Sequence, residues 1–332
     1  MSDNSVISTR VRLARNLKDF PFPCKLSPEG MEKVIEKVRS AVKNSNSSIA
    51  SDFKFIKMSD LTEAQCVSLV ERRIVSPEFI GNIEGRALLV NSDESLSIMI
   101  NEEDHIRIQA ITKGLALEQT YDLVDKLDTL LDESLDFAFS EKLGYLTQCP
   151  TNLGTGMRAS VMLHLPALEK SRAIGRIAGN LSKLGLTIRG THGEGTEPKG
   201  SLYQLSNQVT LGISEKAAIE NLKNITSQLI SQEELARERI CSNIDVQDSI
   251  SRSLGILKYA RTIAHDEALQ LLSNVRLGIV SGQLKDVPLL TIDKLMTDVE
   301  PATLMVNSGK NLSAAQRDVA RADLLRKALE EV

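Results

Sequence analysis

An α+β fold, with an antiparallel sheet flanked by helices and followed by a small all-α C-terminal region, is predicted by three features of this 332-residue chain. RALLVN (86–91), SLSIMIN (95–101) and HIRIQAI (105–111) are β-rich runs joined by short polar turns, and parallel pairing would need crossovers of about a dozen residues or more. Residues 117–139 repeat Leu117, Tyr121, Val124, Leu127, Leu131, Leu135 and Ala138 at helical spacing. Beyond Ser214 the strand signals fade, and ENLKNITSQLI, DSISRSLGILKYARTI, EALQLLSNVRLGIV and AAQRDVARADLLRKALEEV all carry helical patterns.

In chain order, Ser27-Pro28 supplies an N-cap and a first-turn proline, and Met31, Val34, Ile35 and Val38 then form one apolar helix face. After the three strands and the long helix, strands are expected at 143–149, 158–165, 185–190, 201–205 and 208–212, with a helix at 166–183. The chain divides into a mixed domain over 5–240 and a helical domain over 241–332.

Composition narrows the function. Net charge is −4, aromatics make up 3% and Trp is absent, which speaks against nucleic-acid binding. No apolar run reaches the roughly 18 residues of a membrane span, and the start lacks a signal-peptide core. Cys24, Cys66, Cys149 and Cys241 are far apart without a CxxC pair. They read as reduced thiols of a cytoplasmic protein, with no metal cage visible.

Familiar nucleotide motifs are missing. GTEPKGS (195–201) lacks the Lys after its second Gly, no G-x-G-x-x-G follows a strand, and neither HRD nor DFG occurs. Instead arginines recur at strand positions. STRVR (8–12) puts Arg10 and Arg12 on one face of an extended segment. Arg107, Arg158 and Arg189 stand in three other strands. Singly each could be a solvated surface residue; as a set they are bidentate forks able to clamp a triphosphate. Glu102, Glu103 and Asp104 precede Arg107, and Glu194 follows Arg189. They are either polar turns or carboxylates that orient a cationic acceptor and take its proton.

STRVRLARN, NEEDHIRIQ, CPTNLGTG (149–156) and RGTHGEG, in this order along the chain, resemble the phosphagen (guanidino) kinase family, most closely its bacterial protein-arginine kinases. The resemblance implies a glutamine-synthetase-like catalytic domain using ATP and Mg²⁺. It places nucleotide contacts on Ser8, Thr9, Arg10, Val11, Arg12, Arg107, Arg158, Ala159, Ser160, Val161, Met162, Arg189, Gly190, Thr191, His192, Gly193 and Glu194. Glu103 and Glu194 become the acceptor carboxylates, and Cys149 lies near the acceptor guanidine. Arg73 stands where relatives commonly have a histidine contact. With STRVR beginning at residue 8, no preceding helical domain is expected, and the acceptor pocket should admit a protein arginine. RDVARA (317–322) resembles a phosphoarginine-binding motif through Arg317, Asp318 and Arg321.

The same resemblance implies a homodimer that phosphorylates arginine in proteins, marks them for Clp-type degradation and controls a heat-shock repressor. It also implies a zinc-binding activator protein. A kinase of free arginine and a non-catalytic phosphoarginine adaptor are the alternatives.

Overall fold

The computed structural model describes residues 4–45, 47–190 and 198–330. Its strands are β1 (Val6–Arg15), β2 (Lys54–Lys57), β3 (Ala87–Val90), β4 (Leu96–Ile100), β5 (Ile106–Lys113), β6 (Phe139–Ser140), β7 (Gly144–Tyr145), β8 (Met157–His164), β9 (Leu186–Gly190) and β10 (Leu202–Asn207). Eight of them form one sheet in the order β2-β3-β4-β5-β1-β8-β10-β9. Every neighbouring pair is antiparallel, as the short turns of the sequence require. β6 and β7 form a separate small hairpin.

The helices are α1 (Pro28–Asn44), α2 (Glu63–Glu71), α3 (Pro77–Ile80), α4 (Leu117–Asp132), α5 (Pro166–Lys170), α6 (Ile174–Lys183), α7 (Glu215–Cys241), α8 (Ile244–Tyr259), α9 (His265–Val280), α10 (Leu289–Asp298), α11 (Pro301–Ser308) and α12 (Ala314–Ala328). α1 begins as its sequence dictates: the Ser27 hydroxyl accepts from Gly30 N and Pro28 fills the first turn. Its Val34, Ile35 and Val38 are buried.

Alternation in the strands sends two kinds of side chain to opposite faces. Val11, Leu13, Ile108, Ala159, Val161 and Leu205 point into the main core with α1, α4 and α7. On the other face, Leu88, Val90 and Met99 pack under α2 and α3. Met162 and Leu202 pack under the C-terminal helices α8, α9, α10 and α12. The uncovered strip between these two packed areas carries polar side chains and becomes the site.

Four expectations need correction. The 117–139 helix stops at Asp132, because the chain turns to make the isolated bridge of Phe137 with Leu17. Helix 166–183 is broken at 171–173, where Arg172 adopts φ 55° and splits it into α5 and α6. Only Gly144–Tyr145 of 143–149 is strand. No strand forms at 208–212, since Thr210 is bonded to the loop at 151–155 instead.

The C-terminal helices rest directly on the sheet. Arg276 on α9, fully buried, pairs with Asp293 at 2.7 Å, donates to Asn4 O at 2.7 Å and lies 3.3 Å from His164 Nδ1. Glu71, at the end of α2, caps α11 by accepting from Ala302 N and Thr303 N at 2.9 and 2.6 Å.

His105 fastens the segment before α1 to the sheet. Its Nδ1 accepts from Leu17 N at 3.0 Å, so Nε2 carries the proton and donates to Pro21 O at 2.9 Å. Burial pushes its pKa down to about 4, against a smaller opposite push from the Pro21 carbonyl. A depressed folded pKa means stability present above the unfolded value and lost as pH falls toward the folded one. Between about pH 6.5 and 4 the protein should lose on the order of 3 kcal/mol at this site. Chemical denaturation at pH 7 and 4.5 checks this; in His105→Gln the pH slope should flatten, and an unchanged slope would assign the loss to other groups.

Candidate active site

The arginines meet through strand register. Arg10 and Arg12 lie two apart on β1, and β8 places Ser160 opposite Arg10 and Arg158 opposite Arg12. On the other side Arg107 of β5 is opposite Ala14. β10 puts Gln204 between Met162 of β8 and Arg189 of β9. Directly opposed residues share a face. Arg10, Arg12, Arg107, Arg158 and Arg189 therefore share the uncovered one.

So many cations together create a strong demand for an anion. Burial, then Arg73, Arg107 and Arg158, pull the Arg10 guanidinium down to about 10. Burial, then Arg10, Arg107 and Arg158, push Arg12 well below its ordinary value, with only Glu102 opposing. Both remain cations at neutral pH. Arg10 Nη2 donates to Gln204 Oε1 at 2.8 Å. Arg12 Nε is buried with no hydrogen-bond partner among the described residues. A buried donor left open beside four other arginines fits an anionic ligand.

Three consecutive acids sit on the β4–β5 turn. Asn101 opens the turn at φ 63°, and its side-chain amide donates to Met31 O and Gly85 O. Glu102 is buried at 5% exposure; it pairs with Arg107 Nη1 at 2.6 Å and accepts from the Ser76 hydroxyl. Asp104 is fully buried, and burial raises its pKa. Its Oδ1 accepts from Asn16 Nδ2 at 2.6 Å and from Gln148 N at 2.8 Å, holding the residue before Cys149. Glu103 is different. Its side chain is 39% exposed and held only at 3.4 Å by Arg107 Nη2 and by Asn152 Nδ2. It can turn toward a ligand.

The cysteine loop is built by close backbone contacts. The Cys149 carbonyl accepts from Thr147 Oγ1 at 2.8 Å and Asn152 N at 3.0 Å, and Cys149 Sγ lies 3.0 Å from Thr151 Oγ1. The Thr210 hydroxyl donates to Thr151 O and Leu153 O at 2.9 and 2.7 Å, and Thr210 O accepts from Thr155 N. Gly154 has φ 107°, and a Cβ there would lie 2.3 Å from Thr210 O; at Gly156, φ 62°, it would lie 2.6 Å from Ala14 O. Both glycines are required by crossing backbones. Gly154→Ala should lower stability by on the order of 3 kcal/mol, read as a fall in the thermal midpoint; an unchanged midpoint would show the loop to be far more yielding.

These elements enclose a cleft of about 770 Å³ lined by Arg12, Glu102, Glu103, Arg107, Asn152, Arg158 and Arg189, among others. Cys149 stands between Gln148 and Thr151, which line it. The structure thus gathers the arginine set, Glu103 and the cysteine loop. It sends others elsewhere. Thr9, Val11, Ala159 and Val161 are fully buried on the opposite face, with Thr9 Oγ1 donating to Gly114 O. Ser8, opposite Met162, and Ser160, opposite Arg10, share the arginine face, but Met162 is packed in the C-terminal core. Gly190 ends β9, and Thr191, His192, Gly193 and Glu194 lie outside the described residues.

The tail motif also divides. Arg317 lines a groove of about 730 Å³ between α2, α11 and α12 and donates to Leu312 O. Arg321 is 1% exposed and donates to Val299 O, Ile263 O and Asp318 Oδ1 at 2.9, 2.9 and 2.7 Å. Arg321 thus ties α12 to the chain just after α10 and just before α9, and of the three motif residues Arg317 and Asp318 are the more exposed.

Sequence reasoning missed the anchoring roles of Glu102 and Asp104, the cleft position of Cys24, and Gln204 with Ser206. The alternation in LYQLSN carried the signal for the last two, since it sends Gln204 and Ser206 to one face of a strand.

Known proteins match both parts of the chain. Residues 33–236 match the model of the ATP:guanido phosphotransferase C-terminal catalytic domain, and residues 243–332 that of the protein-arginine kinase McsB C-terminal domain. The chain is 46% identical over 320 residues to a protein-arginine kinase of Caldanaerobacter subterraneus subsp. tengcongensis, covering 96% of this chain and 95% of that one. It is 47% identical over 323 residues to one of Halothermothrix orenii, covering 97% and 92%. Among solved structures, lombricine kinase superposes with TM-score 0.62 at 26% identity, covering 70% of this chain and 67% of the other. The duplicated taurocyamine kinase from Schistosoma mansoni with bound transition state analog components gives 0.63 at 32%, covering 70% of this chain and 34% of the longer one.

Proposed function

The chain belongs to the ATP:guanido phosphotransferase family and is an enzyme of the protein-arginine kinase kind; from that premise we propose how its residues divide the work. The observation that carries the reading is the buried, open Arg12 Nε in a row of half-buried arginines, with the loosely held Glu103 in the same cleft.

Arg10, Arg12, Arg107, Arg158 and Arg189 bind the triphosphate of ATP and neutralise charge as the terminal phosphoryl group moves. Glu103 hydrogen-bonds the arginine guanidinium of the acceptor, aligns one nitrogen and takes its proton. The new P–N bond forms as the bond from the terminal phosphorus to the bridging oxygen breaks, leaving ADP. Glu194 is assigned as the second acceptor carboxylate by resemblance. Cys149 tunes the acceptor site and forms no covalent intermediate, because an oriented guanidine can attack ATP directly.

Among the described residues no group of three or more His, Cys, Asp or Glu is placed to hold a metal. Magnesium carried on a nucleotide needs only one or two carboxylates besides phosphates and water, and Glu102 and Glu103 border the arginine face. When bound it supplies further charge neutralisation.

The finer assignments rest on the resemblance of the sequence motifs to those of protein-arginine kinases. They are a two-domain division near 240, a homodimer, a cytoplasmic location, tagging for a Clp-type protease, control of a heat-shock repressor and a zinc-binding activator. Among the described residues no helix is long and apolar enough to cross a membrane. ADP release with an arginine-rich protein and with free arginine tests the acceptor: the protein should be preferred, and equal or greater turnover of free arginine would overturn that choice.

Arg317 and Asp318 form the proposed phosphoarginine contact. The double variant Arg317→Ala with Asp318→Ala should lose about 5-fold or more activity on protein acceptors, within the range of ordinary coupling energies, and little on a small guanidine. Equal loss on both would give the helix a purely structural role.

A further inference from the structure

The two ends of the cleft are built from different parts of the chain. Arg189, Gln204 and Ser206 come from β9 and β10, and β8 and β1 separate those strands from β5 and the β4–β5 turn. At the turn's end the cleft has a region that takes no part in the roles assigned above. It is walled by the segments 23–31 and 78–86, with Leu26, Met31, Glu78, Glu84 and Asn101 in its lining. Three sets of contacts fasten these segments around the turn that carries Glu103. Cys24 N donates to Gln148 Oε1 at 3.1 Å, beside the cysteine loop. Arg86 Nε donates to Asn101 O at 3.0 Å, and its Nη1 donates to Glu78 O and Phe79 O. Asn101 Nδ2 holds Met31 O and Gly85 O.

This region makes three demands on an occupant. Leu26 and Met31 are half-buried and offer an apolar wall. Asn101 is 2% exposed, and its Oδ1 has no hydrogen-bond partner among the described residues. A buried acceptor left open calls for a donor. On the rim Glu78 and Glu84 are exposed, and neither enters an ion pair with a described residue. Arg86 lines the same region, but its guanidinium is committed to three backbone carbonyls, and one cation does not balance two carboxylates. A lysine or arginine side chain meets all three demands, with an aliphatic stem and a head that only donates.

We propose that this end of the cleft binds a second basic residue of the acceptor protein, two positions from the arginine that is phosphorylated. In an extended segment residues i and i+2 point to the same side, about 6.5 Å apart, so both side chains can enter one cleft. The inference rests on the phosphotransferase reading above and adds to it the class of sequence that the site selects. Glu103 takes the target guanidinium. Glu78, Glu84 and Asn101 take the head of its neighbour, and Leu26 and Met31 take the stem.

The test uses the full chain and peptides with one arginine flanked, two positions away on both sides, by lysine, alanine or glutamate. Turnover is read as ADP release, and Kd as fluorescence anisotropy without ATP. In the parent, kcat/KM for the lysine-flanked peptide should exceed that for the alanine-flanked one by about 5-fold or more. The difference should lie in KM, with kcat nearly constant, and the glutamate-flanked peptide should be the poorest. Glu78→Gln with Glu84→Gln should erase most of the lysine preference. Glu220→Gln with Asp248→Asn removes as much charge from exposed positions on α7 and α8, outside the cleft, and should keep it. Equal values for the three peptides in the parent overturn the proposal. So does a lysine preference that survives in Glu78→Gln with Glu84→Gln. Equal loss in both double variants assigns the preference to overall charge and overturns it too. If no peptide is phosphorylated, the functional reading fails, while the Kd ratios still judge the site for the second basic residue.

Discussion

Glu103→Gln lowers phosphoryl transfer to arginine by on the order of 10²-fold or more, with nucleotide affinity changed far less. Glutamine keeps the size and a hydrogen-bonding oxygen but cannot take a proton or balance a guanidinium. The neighbouring acids cannot replace it. Glu102 is buried and committed to Arg107 and the Ser76 hydroxyl, and Asp104 is committed to Asn16 and the Gln148 amide. Of these three acids, only Glu103 combines 39% exposure with loose 3.4 Å partners. Turnover near that of the parent would move the base elsewhere. A loss confined to KM for ATP would place Glu103 on the nucleotide.

Arg158→Lys and Arg12→Lys should each cost on the order of 10²-fold in kcat/KM for ATP, although both keep the charge. These residues face each other across the β1–β8 register. Arg12 offers a buried Nε that lysine cannot reproduce. Single-point cations would leave phosphate oxygens without their second donor. Steady-state kinetics at several ATP concentrations reads this directly; full activity in both lysine variants would reduce the row to a diffuse positive field.

Much of this was legible in the sequence. The three strands around 86–111 and their antiparallel pairing followed from turn length, and the arginine row followed from alternation once strands were assigned. Cys149 and its glycines marked a loop, though not that Gly154 crosses the Thr210 carbonyl, a contact between residues 56 positions apart. A contiguous run such as 158–162 hides the fact that alternate side chains enter opposite faces: Arg158 lines the cleft while Ala159 is in the core. Arg321 was unreadable for a related reason. Its spacing from Arg317 is the same whether the helix face meets solvent or Val299 and Ile263 carbonyls. The period-2 pattern at 208–212 resembles a strand, but Thr210 commits that segment to the cysteine loop. The far end of the cleft arises only when the segments 23–31 and 78–86 settle around Asn101, which no local pattern encodes.

Mass spectrometry decides whether the arginine row and Glu103 together phosphorylate arginine in proteins. The protein is incubated with ATP, Mg²⁺ and an arginine-rich acceptor, and peptides are analysed under conditions that preserve acid-labile phosphoramidates. Phosphate is expected on arginine side chains of the acceptor and is lost in Glu103→Gln. Phosphate found only on serine, threonine or free arginine, or undiminished in the variant, would contradict it.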